Sequence, residues 1–117
     1  MLSSRRWVGW SCPPIPRGWA GPTFNAAGRE FLPGGSSAGT AIAVAVGMAV
    51  LGLAEETGGS IQNPASAQAL VGIKPTFALL PHAGVMPLSG NRDVVGPIAR
   101  CVRDAALTLD VLAGYTA

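Results

Sequence analysis

Gly34-Gly35-Ser36-Ser37-Ala38-Gly39 opens a stretch that closes, twenty-four residues on, with Glu56-Thr57-Gly58-Gly59-Ser60-Ile61, and the apolar run between them carries no charge until Glu55. Thr40 to Val50 is small and apolar on every face, which suits a helix buried in a larger body rather than one lying on a surface. Leu51 to Ala54 then reads as a short buried strand. A glycine pair lets the backbone turn sharply and aim consecutive N–H groups at one point, because no Cβ stands in the way. The amides of Thr57, Gly58, Gly59 and Ser60 therefore suit an oxyanion. Taken singly, each loop is also an ordinary Gly-rich turn beside a core helix. Taken together, each with its serine, they read as a nucleophile site and its partner serine.

Downstream of this stretch the pattern changes. Pro64 and Pro75 bracket a segment in which Ala65 to Leu70 can form a short helix and Val71 to Ile73 a strand, stopped at Pro75. Thr76 to Gly90 is an irregular connection, and His82 stands alone there without a paired acid or cysteine, so it reads as a loop side chain. After Gly96-Pro97, the residues Ile98, Val102, Ala105, Ala106, Leu109 and Leu112 fall on one helical face. Arg103, Asp104 and Asp110 turn outward on that helix, and Gly114 ends it.

Five segments carry a resemblance when read in order: Pro33 to Gly39, Glu56 to Ile61, Pro64-Ala65, Gly72-Ile73-Lys74-Pro75-Thr76, and Asp93-Val94-Val95-Gly96-Pro97-Ile98-Ala99-Arg100. Their order and spacing resemble the core of the amidase signature family, over a span from Pro33 to Gly114. The resemblance implies an α/β fold in which part of a mixed sheet is covered by helices. It implies hydrolysis of a carboxamide C–N bond by a Ser–Ser–Lys triad, with no metal or organic cofactor and a small-molecule amide as substrate. Ser60 then corresponds to the nucleophile and Ser36 to the bridging serine, which the family holds on a cis peptide bond. Ser37, Gly34 and Gly35 support that serine, and the amides of Thr57, Gly58, Gly59 and Ser60 form the oxyanion hole. A serine hydroxyl is a poor nucleophile at neutral pH, so the bridging hydroxyl passes its proton toward a neutral lysine.

The family's lysine lies upstream of the first serine loop. The single lysine of this chain, Lys74, lies downstream of Ser60 and reads as the end of a strand before Pro75. The expectation is therefore an internal piece of an amidase, without its general base and inactive as it stands. The A-type component of a tRNA-dependent amidotransferase is an alternative parent. From another class, Gly34 to Thr40 is a Gly-rich loop leading into a helix that would hold an anion, although it lacks the lysine of a P-loop. A gene fragment without function is a third reading. Two departures from the family pattern stand out: Gln62 replaces a common arginine, and Glu55-Glu56 replaces a threonine followed by an acid. Support for the nucleophile loop is then expected from hydrogen bonds of Gln62 or Asn63. Asp93 and Arg100 are expected in a salt bridge or a loop-capping role.

Composition agrees with a core piece. The chain has 117 residues, 49% hydrophobic and 12% charged, against roughly 25% charged in a typical soluble domain. Exposed apolar patches follow from that deficit. Residues 1–32 form an unmatched Pro/Gly/Arg-rich segment, expected to be disordered, and residues 33–117 a partial catalytic domain. The net charge of +2 comes without a basic run interleaved with aromatics, which excludes nucleic acid as a partner. Ala38 to Ala54 is shorter than the ~20 residues a span requires and is broken by glycines, so no membrane partner is expected. Met1 to Trp10 lacks the continuous apolar run of a secretory signal. Cys12 and Cys101 then read as reduced thiols of a cytoplasmic protein. Neither the amide's identity nor the oligomeric state is legible.

Overall fold

The structure, a computed structural model, describes residues 17–18 and 21–113. Met1–Trp10, Cys12 and the helix stop at Gly114 lie outside the described residues. A short antiparallel pair, β1 (Arg17–Gly18) and β2 (Gly21–Pro22), comes first. The rest is α1 (Ala38–Ala45), β3 (Leu51–Glu56), α2 (Gln62–Ala67), β4 (Val71–Gly72), β5 (Val94–Ala99) and α3 (Val102–Ala113). The sheet runs β3-β5-β4 and both of its pairings are antiparallel. The α/β class is as expected, with helices packed on the sheet.

Strand register decides which side each residue takes. Side chains alternate along a strand, and residues directly opposite across an antiparallel pair share a face. Gly52, Ala54 and Glu56 stand opposite Ile98, Gly96 and Val94, and Gly72 stands opposite Ile98. This first face packs against α1 and α2: Ala41, Ala54, Ile61, Ala65 and Ile98 form one buried cluster. Glycine on the strands makes the approach possible. A Cβ on Gly52 would stand 2.4 Å from Thr40 Cγ2, and one on Gly96 would stand 2.1 Å from the Ile73 carbonyl oxygen. The second face carries Leu51, Leu53 and Val95. It meets α3 and the 76–90 connection around an apolar cavity of about 290 Å3 lined by Leu53, Leu80, Pro81, Val85, Val95 and Leu112.

Several element boundaries differ from the sequence expectation. The first helix ends at Ala45 rather than Val50. Gly47 adopts φ +78°, its N–H reaches the Val44 carbonyl, and the Met48 N–H reaches that of Ala43 at 2.8 Å. These two bonds are the paired closure of a Schellman C-cap, which needs a residue tolerant of positive φ. β3 runs on to Glu56 and is half exposed, with Leu51 and Leu53 open on the second face, which is only partly covered. α2 begins at Gln62, three residues early. Pro64 sits in its first turn, where backbone N–H groups lack a partner within the helix. β4 is two residues long, not three.

The largest correction concerns β5. Ile98 belongs to this strand, not to the following helix, and Gly96-Pro97 lies inside it. Proline normally argues against an interior strand because it removes a ladder donor. Here the Pro97 carbonyl accepts from Ile73 N at 3.0 Å, so its donor-less nitrogen faces the side where β4 is already ending. Little pairing is lost. Val102 is likewise exposed at the start of α3, rather than on the docked face.

Segment 21–32 is tied to α2 by two buried amides. Asn25 Nδ2 donates to the carbonyls of Leu32 and Ala67, at 3.0 and 2.7 Å. Gln68 Nε2 donates to the Pro33 carbonyl at 3.1 Å, and Gln68 Oε1 accepts from Ala26 N at 2.9 Å. Exposed apolar side chains were expected, and they occur: Met48, Met86, Leu88 and Val111 among them.

Candidate active site

The two serine loops lie against each other. The Ser37 N–H donates to the Ser60 carbonyl at 3.4 Å, and Ser37 Oγ donates to the Glu55 carbonyl at 3.3 Å. Gly34, at φ +75°, abuts the start of α2: a Cβ there would stand 2.6 Å from Pro64 Cα and 2.9 Å from Asn63 Oδ1. The first loop therefore needs glycine for two reasons, conformation and space. The Gly35–Ser36 peptide bond is cis. Ser36 is exposed and Ser60 half-buried, so both hydroxyl-bearing residues sit at the surface of this joint rather than in the core.

The second loop is built as a turn between β3 and α2. Gly59 takes φ +124°, and its carbonyl accepts from Asn63 N at 2.7 Å. A Cβ on Gly58 or Gly59 would meet nothing within 4 Å. Backbone conformation thus demands glycine at 59, by its φ, while packing within the chain demands it at neither 58 nor 59.

Three carboxylates surround the turn. Glu56 is 1% exposed because strand alternation turns it inward beside Ala54. Its Oε2 accepts from Ile61 N at 2.9 Å and Gln62 N at 3.0 Å, and its Oε1 accepts from Gln62 Nε2 at 2.6 Å. Burial by itself raises the Glu56 pKa, but the Gln62 and Ile61 amides, the Gln62 side chain and the Gly59 amide together hold it below the usual range. Gln62, expected to support the loop, does so through this carboxylate.

Asp93, just before β5, accepts from the Leu88 and Ser89 amides at 2.7 Å each and from the Thr57 hydroxyl. The Thr57 bond, then the Ser89 and Leu88 amides, lower its pKa. It is a loop cap. Arg100 lies exposed at the opposite end of β5, so the two do not pair. Glu55 Oε1 also contacts the Thr57 hydroxyl, at 3.2 Å. Burial, and then the nearby charges of Asp93 and Glu56, raise the Glu55 pKa. One hydroxyl between two carboxylates can donate only once, which is consistent with Glu55 holding a proton more readily than its neighbours.

Two residues stand apart from the joint. Lys74 is exposed just past β4 and joins none of the hydrogen bonds of the two loops. The His82 ring sits against Phe77, centroids 5.8 Å apart. Cys101 is a free, exposed thiol. Among the described residues no group of three or more His, Cys, Asp or Glu could hold a metal ion, and no helix is long and apolar enough to cross a membrane.

Sequence reasoning missed Glu56 as the organiser of the turn. The available signal was alternation: an acid two residues after Ala54 and four after Gly52, on the glycine face of the strand, points inward.

Comparison with known proteins gives the family. The Amidase family model matches residues 12–117, and the chain belongs to the amidase family. It is 47% identical, over 95 residues, to the A-type component of the glutamyl-tRNA(Gln) amidotransferase of Methanothermobacter thermautotrophicus, covering 81% of this chain and 21% of that protein. The structure superposes on the native peptide amidase of Stenotrophomonas maltophilia with TM-score 0.78 and 43% identity, over 82% of this chain and 20% of that one. It superposes on the corresponding amidotransferase component of Thermotoga maritima with TM-score 0.77 and 42% identity, over 80% and 21%. The chain thus spans about a fifth of the length of these relatives.

Proposed function

We propose that this chain carries the serine part of an amide-cleaving site, in which Ser60 attacks a carboxamide carbon. The observation that supports this best is the joint itself. The backbone bond from Ser37 to Ser60 brings the two loops together at the surface, where a substrate can enter. Ser60 Oγ forms a bond to the carbonyl carbon while its proton passes to Ser36. As the tetrahedral intermediate collapses, the C–N bond breaks, the nitrogen leaves protonated as ammonia or an amine, and water then hydrolyses the ester on Ser60. The amides of Thr57, Gly58, Gly59 and Ser60 face the developing oxyanion. One such donor is worth about 3 kcal/mol in the transition state.

Lys74 plays no part in this reading, since it stands exposed and away from both loops. Among the described residues no hydrogen bond links the Ser36 hydroxyl to a base. The named relatives favour a second reading for the intact protein, an amidotransferase component that hands the released ammonia to a partner. Both readings share the Ser60 step and part only at the fate of the nitrogen.

A fluorophosphonate probe tests the shared step. With a soluble amine added as the proton acceptor, the chain should be labelled at Ser60, with the site mapped by peptide mass spectrometry. Ser60→Ala should abolish labelling, and Ser36→Ala should slow it by about a hundredfold, the lower end of a proton-transfer contribution. Undiminished labelling of Ser60→Ala, or phosphate binding with no labelling, would leave only an anion-binding loop.

A further inference from the structure

We infer that Glu56, with Gln62 as its neutral partner, is the positioning residue that fixes the Thr57–Ser60 turn. This rests on the reading of Ser60 as nucleophile. A carboxylate buried as deeply as Glu56 persists only when its oxygens are bonded. Every direct bond seen to them comes from two consecutive residues, Ile61 and Gln62, immediately after the serine. The chain leaves Glu56, makes the turn, and returns to the Glu56 side chain.

Both ends of the turn are thereby fixed. At the near end Glu56 is paired in the sheet opposite Val94. At the far end the carboxylate grips Ile61 and Gln62, and Asn63 N closes on the Gly59 carbonyl at 2.7 Å. Between them a Cβ on Gly58 or Gly59 would meet nothing within 4 Å. The Glu56 anchor, together with the Thr57 hydroxyl on Asp93 and the Ser37 N–H on the Ser60 carbonyl, rather than packing, holds the oxyanion-facing amides. It also commits the Ile61 and Gln62 amides, which leaves the amides before them for substrate.

Gln62 matters because it is uncharged. It satisfies Oε1 by hydrogen bonding and brings no cation, so N–H dipoles alone stabilise the buried charge. Pairing then depends on donor facing acceptor. Glu56→Met removes both acceptors from the contact. Glu56→Gln keeps an acceptor for the two backbone amides, and its NH2 group meets the oxygen of Gln62 once that exposed amide turns over.

Hydrogen exchange on the full 117-residue chain, read together with fluorophosphonate labelling, tests the anchor. In Glu56→Met the Ile61 and Gln62 amides should exchange at least about tenfold faster, the scale of a charge-assisted bond, relative to those of β5. Labelling at Ser60 should slow in parallel, and Glu56→Gln should recover part of both. Should Glu56→Met fail to fold, Glu56→Gln must still fold and protect these amides. Unchanged exchange at 61 and 62 in Glu56→Met would overturn the inference, as would Glu56→Gln no better protected than Glu56→Met. If the unaltered chain is never labelled at Ser60 even with the base added, the nucleophile reading falls, and exchange alone decides whether Glu56 anchors the turn.

Discussion

The two faces of the three-stranded sheet are finished in different ways. On one, glycine and alanine let α1 and α2 come into close contact, and Ile61 and Ile98 are fully buried. On the other, larger residues surround a cavity of about 290 Å3, and the elements over it carry Met86 and Val111 at 88% and 74% exposure. The first face continues without a break into Glu56 and the turn that bears Ser60. The lesson is that the candidate site leans on the dense face through Glu56, while Asp93 and Glu55 hold Thr57 from outside it. Its geometry is set by contacts that run from Gly34 through α2 and are closed by β5.

That contrast is broken or sharpened first by truncating one side chain on each face. Ile61→Ala should cost about 2–5 kcal/mol, because it empties the centre of the dense face. Leu53→Ala, at a position 47% exposed, should cost no more than about 1 kcal/mol, since half of its surface already meets water. Urea unfolding of both variants measures the difference, and equal losses would show that the faces are equally packed.

A smaller effect should come with pH. Glu56 and Asp93 have pKa values lowered by folding, so the stability they contribute is present above their ordinary values, 4.5 and 3.8. It is lost as pH falls through the lower folded values. Glu55, whose pKa is raised, works in the opposite direction and offsets part of that loss. Thermal unfolding across the acid range should therefore show a falling limb below about pH 4.5 that is shallower in Glu56→Gln. An identical limb in that variant would remove Glu56 from the acid response.

Much of this was legible in the sequence, and what was not has physical causes. The two loops, the helix between them and the strand leading to the second were readable from glycine pairs and an uncharged apolar run. Their meeting was implied by resemblance, not by any local pattern. The end of α1 was misplaced because Val46 to Val50 stays largely apolar, while the deciding signal is Gly47 alone. β5 was hidden by Gly96-Pro97, residues that usually end a strand. They are tolerated there because the neighbouring β4 is short and because Ile61 needs the space beside Gly96. Glu56 was read as a variation on a motif. Only the register of β3 against β5 shows that it faces inward and holds the turn.

The most direct test is a crystal structure of the chain phosphonylated at Ser60. The phosphonyl oxygen should lie about 2.7–3.1 Å from amides of the Thr57–Ser60 turn, the range for an oxyanion contact, with the Ser36 hydroxyl on the same side. An adduct oxygen turned to solvent, with those amides unused and Ser36 facing away, would contradict the account.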